Sequence, residues 1–151
     1  MIQKEEANQL MIRASILLNA ENAYQKASEA LELAKNAMNL IDKQSDEDLY
    51  GKCLMTAAVA CGYLGKLEDE IAFSNEAINI FKKNGSLLFA QMVRASLETS
   101  LRKAGKVKEL EMLKQDADKD FDLIERRLKI LENDMNFKAV ISSRKWWQFW
   151  K

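Results

Sequence analysis

Leu54-Met55-Thr56-Ala57-Ala58-Val59-Ala60-Cys61-Gly62-Tyr63-Leu64-Gly65-Lys66-Leu67 runs directly into Glu68-Asp69-Glu70-Ile71-Ala72-Phe73-Ser74-Asn75-Glu76-Ala77-Ile78-Asn79-Ile80-Phe81-Lys82-Lys83-Asn84-Gly85, and this stretch decides the fold. Its first half is rich in alanine and other small residues, so a second helix can approach it closely. Its second half carries Leu67, Ile71, Ile78 and Phe81 at the spacing of one helical face. Gly65 between them marks a tight turn, and Lys82-Lys83 followed by Asn84-Gly85 supplies the cations and cap that suit a helix C-terminus. The stretch reads as two amphipathic helices folded into a hairpin.

The same grammar extends in both directions. From Met1 to about Ala20, apolar residues recur at Ala7, Leu10, Met11, Ala14, Leu17 and Leu18, and Asn19 to Asn22 reads as a turn. A second helix from Tyr24 places Ala27, Leu31, Ala34, Met38 and Ile41 on one side. Lys43 to Glu47 is polar, and Ser45 with Asp48 three residues later is a capping signal for a third helix running to about Tyr63. That helix turns Leu49 or Tyr50, Cys53, Leu54, Ala57 and Cys61 inward. Ser86 can cap a fifth helix, with Phe89, Val93, Leu97 and Leu101 on one stripe and Leu88, Met92 and Ala95 on the next, until Gly105 breaks it.

Gln25-Lys26-Ala27, Gly65-Lys66-Leu67 and Gly105-Lys106-Val107 sit forty residues apart, and Ala37-Met38 and Ala77-Ile78 keep that register. A fixed period of this size marks a helical solenoid, in which each hairpin buries its apolar face only by stacking on the next. The middle unit resembles a tetratricopeptide repeat: Ala58 matches the small position of the first helix, Gly65 the turn and Ala77-Ile78 the late Ala-aliphatic pair. Ala30 matches the middle alanine in the first unit, whereas Glu70 replaces it in the second; Cys61 replaces the usual aromatic, and no proline closes a unit. HEAT-like repeats are the alternative. The expected fold is all-α: a right-handed α-solenoid of about three hairpins over residues 1–115, a capping or coiled-coil helix over 116–141, and a tail over 142–151.

The resemblance implies a peptide- or helix-binding groove lined by the first helix of each hairpin. Carried across position by position, it nominates Asn19, Met55, Val59, Met92, Ser96, Thr99 and Arg102. The family's chaperone-binding members clamp a terminal carboxylate with Lys, Asn and Arg. Here Asn19 alone matches, and Ser15, Thr56, Met92 and Ser96 stand at the other clamp positions, which argues against a chaperone co-factor. A neutral, partly apolar groove suits a helix or an aromatic segment, including this chain's own tail or that of a neighbouring copy.

Downstream, Leu110, Leu113, Ala117, Phe121, Ile124, Leu128, Leu131 and Met135 approach heptad spacing. Two readings stand: a helix that caps the solenoid, or a short dimerising arm. The run Asp116 to Asp120 is a candidate helix break. All three tryptophans then fall in the last six residues, within Arg144-Lys145-Trp146-Trp147-Gln148-Phe149-Trp150-Lys151. Tryptophan joins a large apolar ring to one N–H donor and favours membrane interfaces and binding hot spots. Arg144, Lys145, Trp146, Trp147, Phe149 and Trp150 therefore form a candidate docking element. It would pack on the chain or in a homo-oligomer, dock a partner, or touch an anionic membrane surface.

Composition narrows the chemistry. Twenty-three cationic and twenty-three acidic side chains balance, without the basic excess of a dedicated nucleic-acid binder. Histidine is absent, which removes every His-dependent base, dyad or metal ligand within this chain. Cys53 and Cys61, eight residues apart on one helix, lie roughly 12 Å apart at about 1.5 Å per residue, too far to bridge each other. They read as buried thiols of a reducing compartment. Glu68-Asp69-Glu70 and Asp46-Glu47-Asp48 read as acidic helix starts facing the positive dipole end. There is no phosphate loop, CxxC pair or nucleophile elbow. Met1 to Glu6 has no signal-peptide core, and the longest uncharged run, Cys53 to Gly65, is too short to span a bilayer. The expectation is a non-catalytic cytoplasmic adaptor or regulatory subunit, with no cofactor, metal or nucleic acid. A protein or peptide would be its partner, and a tail-anchored peripheral protein on the inner face of a membrane is the alternative.

Overall fold

The computed structural model describes residues 2–132, which form six α-helices and, among the described residues, no strand. They are α1 (Ile2–Leu18), α2 (Ala23–Leu40), α3 (Glu47–Leu64), α4 (Leu67–Lys83), α5 (Leu87–Ala104) and α6 (Val107–Glu132). Met1–Leu113 is one compact unit and Lys114–Lys151 another.

Within the first unit each helix packs on the next, α1 on α2 through to α4 on α5, which is the solenoid-like arrangement of stacked hairpins. The α1 helix also reaches α3, and α3 reaches α5. Three of the helices stop in the same way. Gly65, Gly85 and Gly105 take φ of 72, 76 and 70°, a left-handed conformation that glycine adopts without Cβ strain. The residue after each then donates its amide back across the final turn: Lys66 to the Cys61 carbonyl at 2.9 Å, Ser86 to Phe81 at 2.7 Å and Lys106 to Leu101 at 3.0 Å. The turn after α1 has no glycine; there the Asn19 side-chain amide donates to the Ser15 carbonyl at 2.8 Å.

The forty-residue register holds for the later units only. The α3 and α5 helices end forty residues apart, at Leu64 and Ala104, but α1 ends at Leu18, six residues earlier than that spacing requires. Gln25 consequently lies inside α2 rather than at a turn. The longer α2–α3 connection, residues 41–46, accounts for part of the offset. Asp46, not Ser45, precedes α3, and neither it nor Ser86 caps its helix through a side-chain hydrogen bond. No break occurs at Asp116 to Asp120, since α6 is continuous from Val107 to Glu132.

Three apolar clusters fill the first unit. Two are dominated by small residues: Ala14, Ala27, Ala30, Ala34, Ala57, Ala60 and Cys61 around Leu18 and Leu31, and Ala7, Ala37 and Cys53 with Leu49. The third is built from Leu54, Ile78, Ile80, Phe81, Val93, Leu97, Leu101 and Leu113. Phe81 is fully buried and stacks on Phe89 with ring centroids 5.2 Å apart. Ion pairs tie the α2–α3 connection and its flanks to other helices: Lys4 to Asp46 at 2.9 Å, Lys83 to Glu47 at 2.8 Å, and Lys43 to Glu76.

In the second unit the described part of α6 leaves Phe121, Leu123 and Ile130 exposed, while Ala117, Ile124 and Leu128 are half-buried.

Candidate functional site

The α1, α3 and α5 helices, the first of each hairpin, share one groove of about 240 Å³. Ser15, Leu18 and Asn19 line it from the end of α1, Met55, Thr56, Ala58, Val59 and Tyr63 from α3, and Met92, Val93 and Ser96 from α5, with Ser74 of α4 at the floor. No Asp, Glu, Lys or Arg is among these lining residues. Their chemistry is thioether, methyl, hydroxyl and one amide.

Five of the seven positions nominated from sequence, Asn19, Met55, Val59, Met92 and Ser96, come together here. Ser15 and Thr56, at the family's clamp positions, join them. Thr99 and Arg102 lie further along α5 outside the lining. The Thr99 hydroxyl donates to the Ala95 carbonyl at 3.2 Å, and the Arg102 guanidinium pairs with Glu98 on the same helix. A terminal-carboxylate clamp is not assembled, because the lining carries no cation and the Asn19 amide already donates to Ser15.

Two lining residues carry signals that hydrophobic periodicity overlooks. Tyr63 meets Tyr24 edge-on, centroids 4.9 Å apart, which sets its ring at one end of the groove. Ser74 belongs to the buried stripe of α4, which runs Glu70, Ser74, Ala77 and Phe81 at intervals of four, three and four. A count of apolar residues alone places Leu67 and Ile71 on that face; both are only half-buried.

Glu70 is the unexpected member of the stripe. Glu68 and Asp69 are exposed at the start of α4, as a helix dipole favours. Glu70 is 3% exposed and accepts a hydrogen bond from the Ser100 hydroxyl of α5 at 2.7 Å. A Cβ on Gly62 of α3 would stand 3.2 Å from Glu70 Oε1, so the carboxyl sits against the bare backbone of that glycine. Burial pushes its pKa above the ordinary 4.5, opposed by the Ser100 hydrogen bond.

The remaining chemistry is quiet. Burial pushes both the Cys53 and Cys61 thiols up to about 11, so neither is a thiolate nucleophile near neutral pH. A broader hollow of about 650 Å³ between the starts of α1 and α3 contains Asp46, Glu47 and Asp48, and each of these carboxylates is paired, with Lys4, Lys83 and Lys52 respectively. Among the described residues no cluster of His, Cys, Asp and Glu could hold a metal, and no helix is long and apolar enough to cross a membrane. The tail positions Arg144, Lys145, Trp146, Trp147, Phe149 and Trp150 lie outside the described residues, as does Met135 of the heptad stripe. No protein-family model matches the chain, and neither a curated protein nor a solved structure does.

Proposed function

We propose that the chain is a non-catalytic protein-interaction module, a divergent tetratricopeptide-like repeat whose groove takes an uncharged apolar segment, helical or extended, from a partner protein. The observation that carries the reading is the convergence of the three first helices on one groove whose lining holds no charged side chain. Such a lining offers no counter-charge to a carboxylate or phosphate, so charged ligands would lose hydration there without compensation. Apolar ligands lose nothing of the kind. Met55 and Met92 add adaptability, because unbranched thioethers re-pack around different side chains. Ser15, Thr56 and Ser96 give the hydroxyls that orient a bound backbone.

Selection from a displayed peptide library tests this. Recovered peptides should be uncharged and apolar at their anchor positions. Their affinity for Val59→Glu and Met92→Glu should fall at least about tenfold, the cost of leaving a charge against an apolar ligand. Binding to Lys35→Glu, an exposed change on α2, should be unaltered. Recovery of acidic or carboxylate-dependent peptides, or indifference to both groove substitutions, would overturn the assignment.

A further inference from the structure

Glu70 sits where three helices meet. It belongs to α4, faces Gly62 of α3 and accepts from Ser100 of α5. That hydroxyl is its hydrogen-bond partner among the described residues, and no ion pair to it is formed there. Among the described residues the Cys61 thiol of α3 couples to Glu70, and Lys66 of the α3–α4 turn, Asp69 of α4 itself and Lys35 of α2 act on that thiol; α5 contributes the Ser100 hydroxyl. A carboxylate taken out of water without a cation is costly, and the neutral acid is much less so.

The position matters as much as the burial. Ser74 lies four residues beyond Glu70 on α4, and Ser96 lies four residues before Ser100 on α5. One helical turn therefore separates the Glu70–Ser100 contact from two residues that line the groove. Whatever loosens α4 from α5 at Glu70 acts on the groove at the next turn.

We propose that Glu70 is a proton-operated lock on the α4–α5 seam: protonated, its carboxyl stays dry and lets the two helices close on each other; ionised, it draws water into the seam, against the restraint of the Ser100 hydrogen bond, and loosens the groove wall beside it. The step is a single proton exchange with solvent. Acid closes the lock, because the protonated form is the one that burial tolerates. The consequence for a bound partner rests on the groove reading above, but the lock itself does not.

Amide NMR of the full chain between about pH 4 and 8, without ligand, keeps the two apart. In the wild type the amides of Ser74, Met92 and Ser96 should titrate together with a midpoint above 4.5. Exchange protection at Val93 and Leu97 should fall above that midpoint. Glu70→Gln, which keeps shape and acceptor but cannot ionise, should abolish the transition and retain protection throughout. Ser100→Ala should move the midpoint upward, because the lost hydrogen bond favoured the ionised form. A transition that persists in Glu70→Gln, a midpoint at or below 4.5, or equal protection in the two proteins would overturn the lock. None of those results bears on peptide selection by the groove.

Discussion

Two seams in the first unit join one hairpin to the next, and they are built on opposite principles. Between α2 and α3 the buried surface is mostly small: Ala30, Ala34 and Ala37 on one side, Ala57, Ala60, Cys53 and Cys61 on the other, all fully buried, with Leu31 and Leu49 the larger members. Between α4 and α5 it is large: Ile78, Ile80 and Phe81 against Val93, Leu97 and Leu101. The first seam gains contact through close backbone approach, and each residue buries little apolar area. The second gains it through side-chain volume, at roughly 25 cal/mol per Å² removed from water. A close-approach seam leaves no room for growth; a volume seam suffers most from truncation. The buried carboxyl also belongs to the second seam, where it accepts from Ser100 and lies against the bare backbone of Gly62 on α3.

The comparison breaks most visibly at Phe81. Phe81→Ala removes a fully buried ring that also stacks on Phe89, and should cost about 3–5 kcal/mol in urea denaturation. A loss under about 2 kcal/mol, the low end for such truncations, would mean that the α4–α5 seam is not held by volume.

Enlargement probes the other seam. Ala60→Leu should cost about 1–3 kcal/mol through overpacking, whereas a leucine at an open helical position would cost almost nothing. Gly51→Ala applies the same test inside the α3–α4 hairpin. In an exposed helix that change gains roughly 1 kcal/mol, but here the new Cβ would lie 3.0 Å from Phe81 Cε1 and 3.2 Å from Ile80 Cγ2. Both neighbours are buried, so neither can yield freely, and the variant should melt lower than the wild type. If Gly51→Ala is stabilising, Phe81 has more freedom than its burial implies.

Glu70→Gln isolates the electrostatic part of the second seam. The native carboxyl has its pKa raised above 4.5, so the folded state binds the proton more tightly than the unfolded chain. Its contribution is therefore fully favourable below the ordinary value and is lost as pH rises through the raised one. Above that window Glu70→Gln should equal or exceed the wild type in stability; below it the difference should close. Denaturation midpoints for both proteins on each side of the window check the sign, and a wild type that gains on Glu70→Gln with rising pH would reverse it.

The helices were legible in the sequence because apolar residues recur at three and four and because glycines at 65, 85 and 105 stop their helices. The groove was legible in part: the helix of each hairpin that faces inward can be inferred from repeat logic, and Met55, Val59, Met92 and Ser96 follow. Glu70 was not. A hydrophobic count treats Glu68, Asp69 and Glu70 alike, and only the four-three-four stripe through Ser74, Ala77 and Phe81 separates the buried one from its solvated neighbours. The offset of the first unit was hidden for a related reason, since Lys26 matches Lys66 by letter while Gln25 stands inside a helix where Gly65 makes a turn.

Arg102 gives the smallest expected effect and the cleanest control. It was nominated for the groove by alignment, yet it lies outside the lining and pairs with Glu98 four residues earlier on α5. Its guanidinium side chain is 63% exposed, so water and salt screen the pair. Exposed pairs at this spacing contribute about 0.3–0.5 kcal/mol. Arg102→Ala should therefore shift stability by no more than that, should lose even this at high salt, and should leave peptide selection unchanged. The pair lies wholly within α5 and crosses neither seam, so it reports helix strength alone. A loss of several kcal/mol would mean that α5 depends on its own surface pairs more than on the Val93, Leu97 and Leu101 face, and the volume account of the second seam would fall with it.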